Sequence, residues 1–181
     1  PGTVGRPMAG MQMRLKPVEG IIGAGELEVH GPNVMLGYIR PDAPGKIVPP
    51  EDGWYNTGDV VSIDEDGFIA IRGRRKRFAK IGGETVSLAV VENIAAAVWP
   101  DNAHAAVSVP DGRKGEQIVL VTDFPEARRL ELVAWAQNHG VSELTVPRRI
   151  VKITQIPVLG TGKTDYVAIQ KIAETELARA A

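Results

Sequence analysis

Apolar and polar positions alternate in the first part of the chain and recur at helical spacing in the second. The run Gly25-Glu26-Leu27-Glu28-Val29-His30 alternates from Leu27 onward, the period of a half-buried strand, and Gly31-Pro32-Asn33 breaks it. Asp59-Val60-Val61-Ser62-Ile63 reads as a strand and Phe68-Ile69-Ala70-Ile71-Arg72 as its return. Asp64-Glu65-Asp66-Gly67 between them predicts a hairpin with a four-residue connection. Segment 41–53 holds four prolines and two glycines and reads as a surface loop. After Gly83 the period changes. Ser87 is placed to cap a helix carrying Leu88, Val91, Ala95 and Val98, which Pro100 ends. Segments 103–109 and 117–122 read as strands joined by a turn over 111–115. A second helix is expected with Pro125 in its first turn, an apolar face of Leu130, Val133 and Ala134, and a stop at Gly140. Segment 149–153 reads as a strand. A last helix starts near Asp165, with Ile169, Ile172, Ala173 and Leu177 on one side.

Composition narrows the classes. The chain has 181 residues, 44% hydrophobic and 24% charged, which excludes disorder as the main state. It holds 20 glycines and 13 prolines, so turns are frequent. No apolar run is long enough for a membrane helix, and no signal peptide is visible. Cysteine is absent, which removes disulfides and thiol nucleophiles. The net charge of -1 argues against a nucleic-acid partner. The sequence opens on Pro-Gly rather than Met and reads as a piece of something longer.

Four segments carry candidate chemistry, each with a plainer reading beside it. Gly160-Thr161-Gly162-Lys163-Thr164 looks like the end of a phosphate-binding loop, but the full motif needs glycine where Pro157 stands. A flexible loop presenting Lys163 to an anion is the functional reading, and a surface turn with a solvated lysine the plain one. Asn56-Thr57-Gly58-Asp59, just before a strand, offers a carboxylate to a ribose diol, or is simply a capped turn. Residues 72–80 are six-ninths basic and suit an anionic partner, or form a solvated charged loop. Gly82 and Gly83 permit positive φ and close approach of a ligand, or only a tight turn. Asp64-Glu65-Asp66-Gly67 lacks the later ligands of a calcium loop, and His30, His104 and His139 have no metal-ligand spacing.

Taken in order, Gly31-Pro32-Asn33-Val34-Met35-Leu36-Gly37-Tyr38, Thr57-Gly58-Asp59, Gly73-Arg74-Arg75-Lys76-Arg77, Lys80-Ile81-Gly82-Gly83 and Gly162-Lys163 resemble the adenylate-forming superfamily. This is the family of acyl-CoA synthetases, luciferases and peptide-synthetase adenylation domains. The resemblance implies an α+β fold. A strand-rich, partial β-barrel piece of the large adenylation domain covers 1–73, a hinge lies at 74–77, and a small mobile α/β lid domain covers 78–181. The wording Lys76-Arg77-Phe78-Ala79-Lys80-Ile81 and Leu159-Gly160-Thr161-Gly162-Lys163-Thr164-Asp165 departs from the common form, as does Leu88 where proline is usual. These variants are similar to the bifunctional acyl-acyl carrier protein synthetase/2-acylglycerophosphoethanolamine acyltransferases.

The resemblance implies roles for individual residues. Asp59 binds the ribose hydroxyls of the adenylate, and Arg74 supports the same ribose. Lys76 is the hinge about which the small domain rotates. Lys163 is the catalytic lysine of adenylation. Lys80, Gly82 and Gly83 line the opposite face, used with the thiol acceptor. The implied cofactors are ATP with Mg²⁺, held mostly upstream, and the phosphopantetheine of the acceptor; no metal site is expected in this chain. The implied partners are a fatty acid, acyl carrier protein or coenzyme A, and lysophosphatidylethanolamine. Expected activities are acyl transfer to a carrier protein, a fatty acyl-CoA synthetase alternative, or a non-catalytic carrier-protein-binding module. The chain itself is expected to be soluble and inactive alone, with the full-length protein at the cytoplasmic face of a bacterial inner membrane.

Overall fold

The structure is a computed structural model describing residues 2–112 and 115–179. The chain separates into two compact units, Pro1–Lys76 and Arg77–Ala181.

The first unit is built on an open four-stranded antiparallel sheet in the order β1-β2-β5-β6, with no closed barrel among the described residues. Its strands are β1 (Gln12–Pro17), β2 (Gly25–His30), β5 (Tyr55–Ile63) and β6 (Ile69–Arg74). A separate two-stranded ladder, β3 (Tyr38–Ile39) with β4 (Ile47–Val48), closes the proline-rich loop. Leu27, Val61 and Ile69 form the core, with Met13, Val29 and Ile63 packed against it. The β5–β6 hairpin is present, but its connection runs through Phe68. The Asp64 carboxylate accepts the N–H groups of Asp66 and Phe68, and the Asp64 N–H donates to Phe68 O, so five residues turn the chain. Strand β2 departs from simple alternation. Its register against β5 shifts between Glu26 and Glu28, and Leu27 and Glu28 are both buried. A bulge of this kind re-aims side chains that a strict period of two would send outward.

The second unit is a sheet covered on both faces. Its strands are β7 (Phe78–Ile81), β8 (Glu84–Ser87), β9 (His104–Asp111), β10 (Gly115–Thr122) and β11 (Arg149–Lys152). Its helices are α1 (Leu88–Val98), α2 (Arg129–Asn138) and α3 (Tyr166–Arg179). Strand β10 pairs antiparallel with β9 along its whole length and parallel with β11. Successive side chains of a strand point to opposite faces. Ile118 and Leu120 join Leu88, Val91, Ile94, Leu132 and Ala136 in one core, while Val119 and Val121 join Val107, Val109, Ile169 and Ala173 in another. This double burial explains why β10 reads as a continuous apolar run.

Several expectations need correction. Strands β7 and β8 were not expected: Ala79, Ile81 and Val86 are buried where the sequence suggested a charged loop and a turn. Ser87 does precede α1, but its hydroxyl is buried without a hydrogen-bond partner and makes no cap. Pro125 lies outside α2, in a turn closed by Ala127 N–H to Phe124 O. The buried face of α2 is Leu132 and Ala136, four residues apart, and Leu130 is exposed. The turn expected over 111–115 includes Arg113 and Lys114, which lie outside the described residues. No helix among the described residues is long and apolar enough to cross a membrane.

Candidate functional site

Asp59 and Arg74 are brought together by the sheet of the first unit. They are register partners across β5 and β6, and Arg74 Nε lies 2.9 Å from Asp59 Oδ1. Arg74 also donates from Nη1 to Thr57 O at 3.0 Å, which fixes the plane of its guanidinium. The segment expected just before a strand is inside β5. Asn56 Oδ1 accepts the Gly58 N–H, Gly58 sits at φ +72°, and Thr57 Oγ1 accepts the Asp59 N–H while donating to Leu27 O. These local bonds bend the strand and hold the Asp59 backbone. The Asp59 side chain is only 20% exposed and that of Arg74 is 64% exposed. The pair therefore presents a fixed acceptor with a cation beside it.

The basic run 72–80 is divided between the two units. Arg72 donates to Ser62 Oγ, Arg74 belongs to Asp59, and residues 75–77 form a single 3₁₀ turn. Lys76 is the last residue of the first unit and Arg77 the first of the second. Arg77 is drawn inward. Its Nη2 lies 2.7 Å from Glu92 Oε1 on α1, with both side chains less than one-fifth exposed. Its guanidinium stacks 3.7 Å from the ring centroid of Tyr166, the first residue of α3. Glu92 Oε1 also accepts the Ala106 N–H of β9 at 2.8 Å and the Tyr166 hydroxyl at 3.1 Å. Burial, and then the Glu92 charge, push the Tyr166 hydroxyl above its ordinary pKa, against the opposing pull of Arg77.

Lys80, Gly82 and Gly83 come together on the β7–β8 hairpin. Lys80 is exposed between the buried Ala79 and Ile81, and its backbone N–H donates to the Glu116 carboxylate. Gly82 and Gly83 have φ of +59° and +91°, the two positive values a type I′ hairpin turn requires. A Cβ at either glycine would meet nothing within 4 Å, so the turn is open on its outer side.

Lys163 stands on its own loop in the second unit. Gly162 N–H donates to Leu159 O at 2.8 Å, Leu159 N–H donates to Lys163 O at 2.7 Å, and Val158 bridges Thr164. Gly162 has φ +80°, the left-handed residue of a three-residue hairpin loop. Lys163 is exposed. Two residues on, Asp165 Oδ1 accepts the N–H groups of Val167 and Ala168, capping α3.

Two clusters escaped the sequence. One is Arg77–Glu92–Tyr166, whose members have no common local spacing. The other is Glu28, held by Arg14 at 2.6 Å and Lys16 at 2.5 Å, with the Arg14 guanidinium 4.3 Å from the Trp54 ring centroid. Burial works to raise the Glu28 pKa, but hydrogen bonds from Lys16 and Arg14 outweigh it and hold the carboxyl below its usual range. Alternating cations on β1 opposite a glutamate on β2 were a usable signal. Among the described residues, no group of three or more His, Asp or Glu gathers as a metal site.

The fold recurs in known proteins. The chain is similar to the feruloyl-CoA synthase of Amycolatopsis sp, with 36% identity over 143 residues, covering 77% of this chain and 28% of that protein. It is similar in structure to the amide bond synthetase McbA from Marinactinospora thermotolerans, with 30% identity and a TM-score of 0.71. That match covers 94% of this chain and 36% of the other. ATP-bound MatB from Rhodopseudomonas palustris gives 25% identity and a TM-score of 0.75, covering 94% of this chain and 35% of that one. No family model matches. The chain belongs to the adenylate-forming superfamily and corresponds to the C-terminal part of its fold. It spans about a third of the length of these relatives.

Proposed function

We propose that this chain is the C-terminal part of an ATP-dependent, AMP-forming acid–thiol ligase. The observation that carries the reading is the Asp59–Arg74 pair at 2.9 Å. A carboxylate with one oxygen on Arg74 keeps lone pairs for a ribose diol, and the adjacent guanidinium sets its orientation. Lys163 is the mobile cation of the first step. A substrate carboxylate oxygen attacks the α-phosphorus of ATP, the bond to the bridging oxygen breaks, and pyrophosphate leaves. Charge builds on the α-phosphate oxygens, where a lysine ammonium stabilises it electrostatically. In the second step a thiol sulfur attacks the acyl carbon, its proton is lost, and AMP leaves. Lys80, Gly82 and Gly83 form the face used with that thiol, the open glycine turn giving a pantetheine arm room. Rotation about Lys76 exchanges the two faces, a gating step rather than a chemical one. Mg²⁺ would neutralise triphosphate charge; among the described residues no cluster of His, Asp or Glu gathers to hold it.

Coenzyme A is the acceptor this reading favours, on the likeness to a feruloyl-CoA synthase. A second reading keeps a fatty acid as substrate, acyl carrier protein as acceptor and lysophosphatidylethanolamine as final acyl acceptor at a bacterial membrane. It is favoured by the unusual wording of 76–81 and 159–165. The deciding experiment is acid-dependent ATP–pyrophosphate exchange by the full-length protein, with palmitate and ferulate offered in turn, then coenzyme A against carrier protein. Exchange lost in Lys163→Ala, with thioester still formed from supplied acyl-adenylate, supports the reading. Exchange that survives the substitution overturns it.

A further inference from the structure

Lys163 sits on an exposed hairpin loop whose hydrogen bonds are all local, yet adenylation needs its ammonium placed to within a fraction of an ångström. The loop itself supplies no long-range anchor. The nearest side chain that does is Tyr166, three residues on.

We propose that Arg77, Glu92 and Tyr166 form a clamp that positions Lys163, transmitting the course of the chain just past Lys76 to the lysine loop. The inference rests on the proposed role of Lys163. Glu92 is the centre. Its Oε1 takes a cation at 2.7 Å, a backbone N–H at 2.8 Å and a phenol at 3.1 Å. These three partners, one an ion pair and two hydrogen-bond donors, come from the first residue of the second unit, from β9 and from the start of α3. Arg77 closes the triangle by lying on the Tyr166 ring at 3.7 Å. Four separate segments thus meet at one carboxylate that is 18% exposed. A half-buried carboxylate held by a close cation and two hydrogen bonds is costly to disturb, because loss of a partner leaves a poorly solvated charge.

The chemistry of the three groups fits a mechanical role. Burial and the Glu92 charge raise the phenol, and guanidinium does not deprotonate. They are positioning residues, and Lys163 alone acts on substrate. The link is covalently short at both ends. Arg77 follows Lys76 directly, and Tyr166 follows the Asp165 cap that ends the lysine loop. Any reorientation at Lys76 then carries the loop with it instead of being absorbed by local slack.

The test uses Tyr166→Phe in the full-length protein, which keeps the ring under Arg77 and deletes only the hydroxyl. Amide hydrogen exchange is read at Gly162 and Asp165, which are bonded to Leu159 O and Pro157 O. The expected result is about tenfold faster exchange there, the scale of one bond to a charged acceptor, with the β9–β10 ladder unchanged. ATP–pyrophosphate exchange should fall about tenfold in kcat with KM for ATP little changed. Thioester formation from supplied acyl-adenylate should hold. Equal acceleration of all amides, or equal loss in both half-reactions, would overturn the clamp, as would no change in either readout. Glu92→Gln guards against a folding defect, since it keeps the Ala106 acceptor while removing the charge, and the same split is expected. Lys163→Ala separates the two ideas. If Tyr166→Phe loosens the loop while Lys163→Ala leaves adenylation intact, the role of Lys163 fails and the clamp on catalysis fails with it. If Lys163→Ala abolishes adenylation and Tyr166→Phe does nothing, only the clamp fails.

Discussion

Arg74 reaches back across the sheet of the first unit to hold Asp59, Nε to Oδ1 at 2.9 Å, and donates a second bond to the carbonyl of Thr57. The cation is therefore oriented from two sides by β5, and the carboxylate is oriented by the cation. Both residues belong to the first unit.

Removing either partner should weaken nucleotide binding more than it weakens the fold. Arg74→Ala and Asp59→Asn are each expected to raise KM for ATP about tenfold or more, the scale of a lost bond to a charged group. Steady-state kinetics of the full-length protein, with the midpoint of thermal unfolding as control, checks this. A large drop in that midpoint with unchanged KM would assign the pair to stability alone.

Lys163→Ala should lower the adenylation rate by about 10²–10³. The substitution falls on an exposed loop residue, so unfolding should be unaffected. Gly162→Ala should act through geometry instead. With φ at +80°, a Cβ strains the loop by about 1–2 kcal/mol and should reduce adenylation without removing the charge.

Gly83→Ala, at φ +91° with nothing within 4 Å of the added carbon, separates backbone strain from steric blocking. Strain alone costs about 1–2 kcal/mol in urea unfolding. A loss of thioester formation beyond that, with adenylation retained, would show the open side of the turn in use by the acceptor.

Glu28 predicts a pH dependence of known sign. Its folded-state pKa lies below its usual 4.5, because hydrogen bonds to Lys16 and Arg14 outweigh burial. A carboxylate depressed by folding contributes stability that is complete above its unfolded value. That contribution is lost as pH falls through the folded value. Wild type should therefore exceed Glu28→Gln in unfolding free energy at pH 7, and the gap should narrow below pH 4.5. Denaturant titrations at pH 7, 4.5 and 3 measure it. A gap that widens toward acid would contradict the assigned sign.

Strand character was legible in β10, which two cores flank. Ile118, Val119, Leu120 and Val121 declare β10 because burial on both faces leaves no polar position to confuse it. Asp165 declares the start of α3 by the ordinary chemistry of a capping carboxylate. Local chemistry failed where tertiary packing decided. Phe78-Ala79-Lys80-Ile81 is a four-residue strand beside a run of cations, and only its pairing with β8 and Glu116 makes it one. In α2 the choice of buried stripe between Leu130 and Leu132 depends on what the helix lies against. The residues of the candidate site were readable as a family pattern in fixed order. Their partners were not: Glu92 and Tyr166 are separated by 74 residues and share no spacing that sequence exposes.

The two units join at the Lys76–Arg77 bond. Among the described residues every strand ladder closes within its own unit, and the first unit's sheet ends at Arg74 before the second unit's begins at Phe78. A recombination event at that bond would leave each sheet with all its native neighbours. The lysine loop, its capping aspartate and the Arg77–Glu92–Tyr166 cluster would travel as one heritable cassette, while Asp59 and Arg74 stayed behind with the other parent.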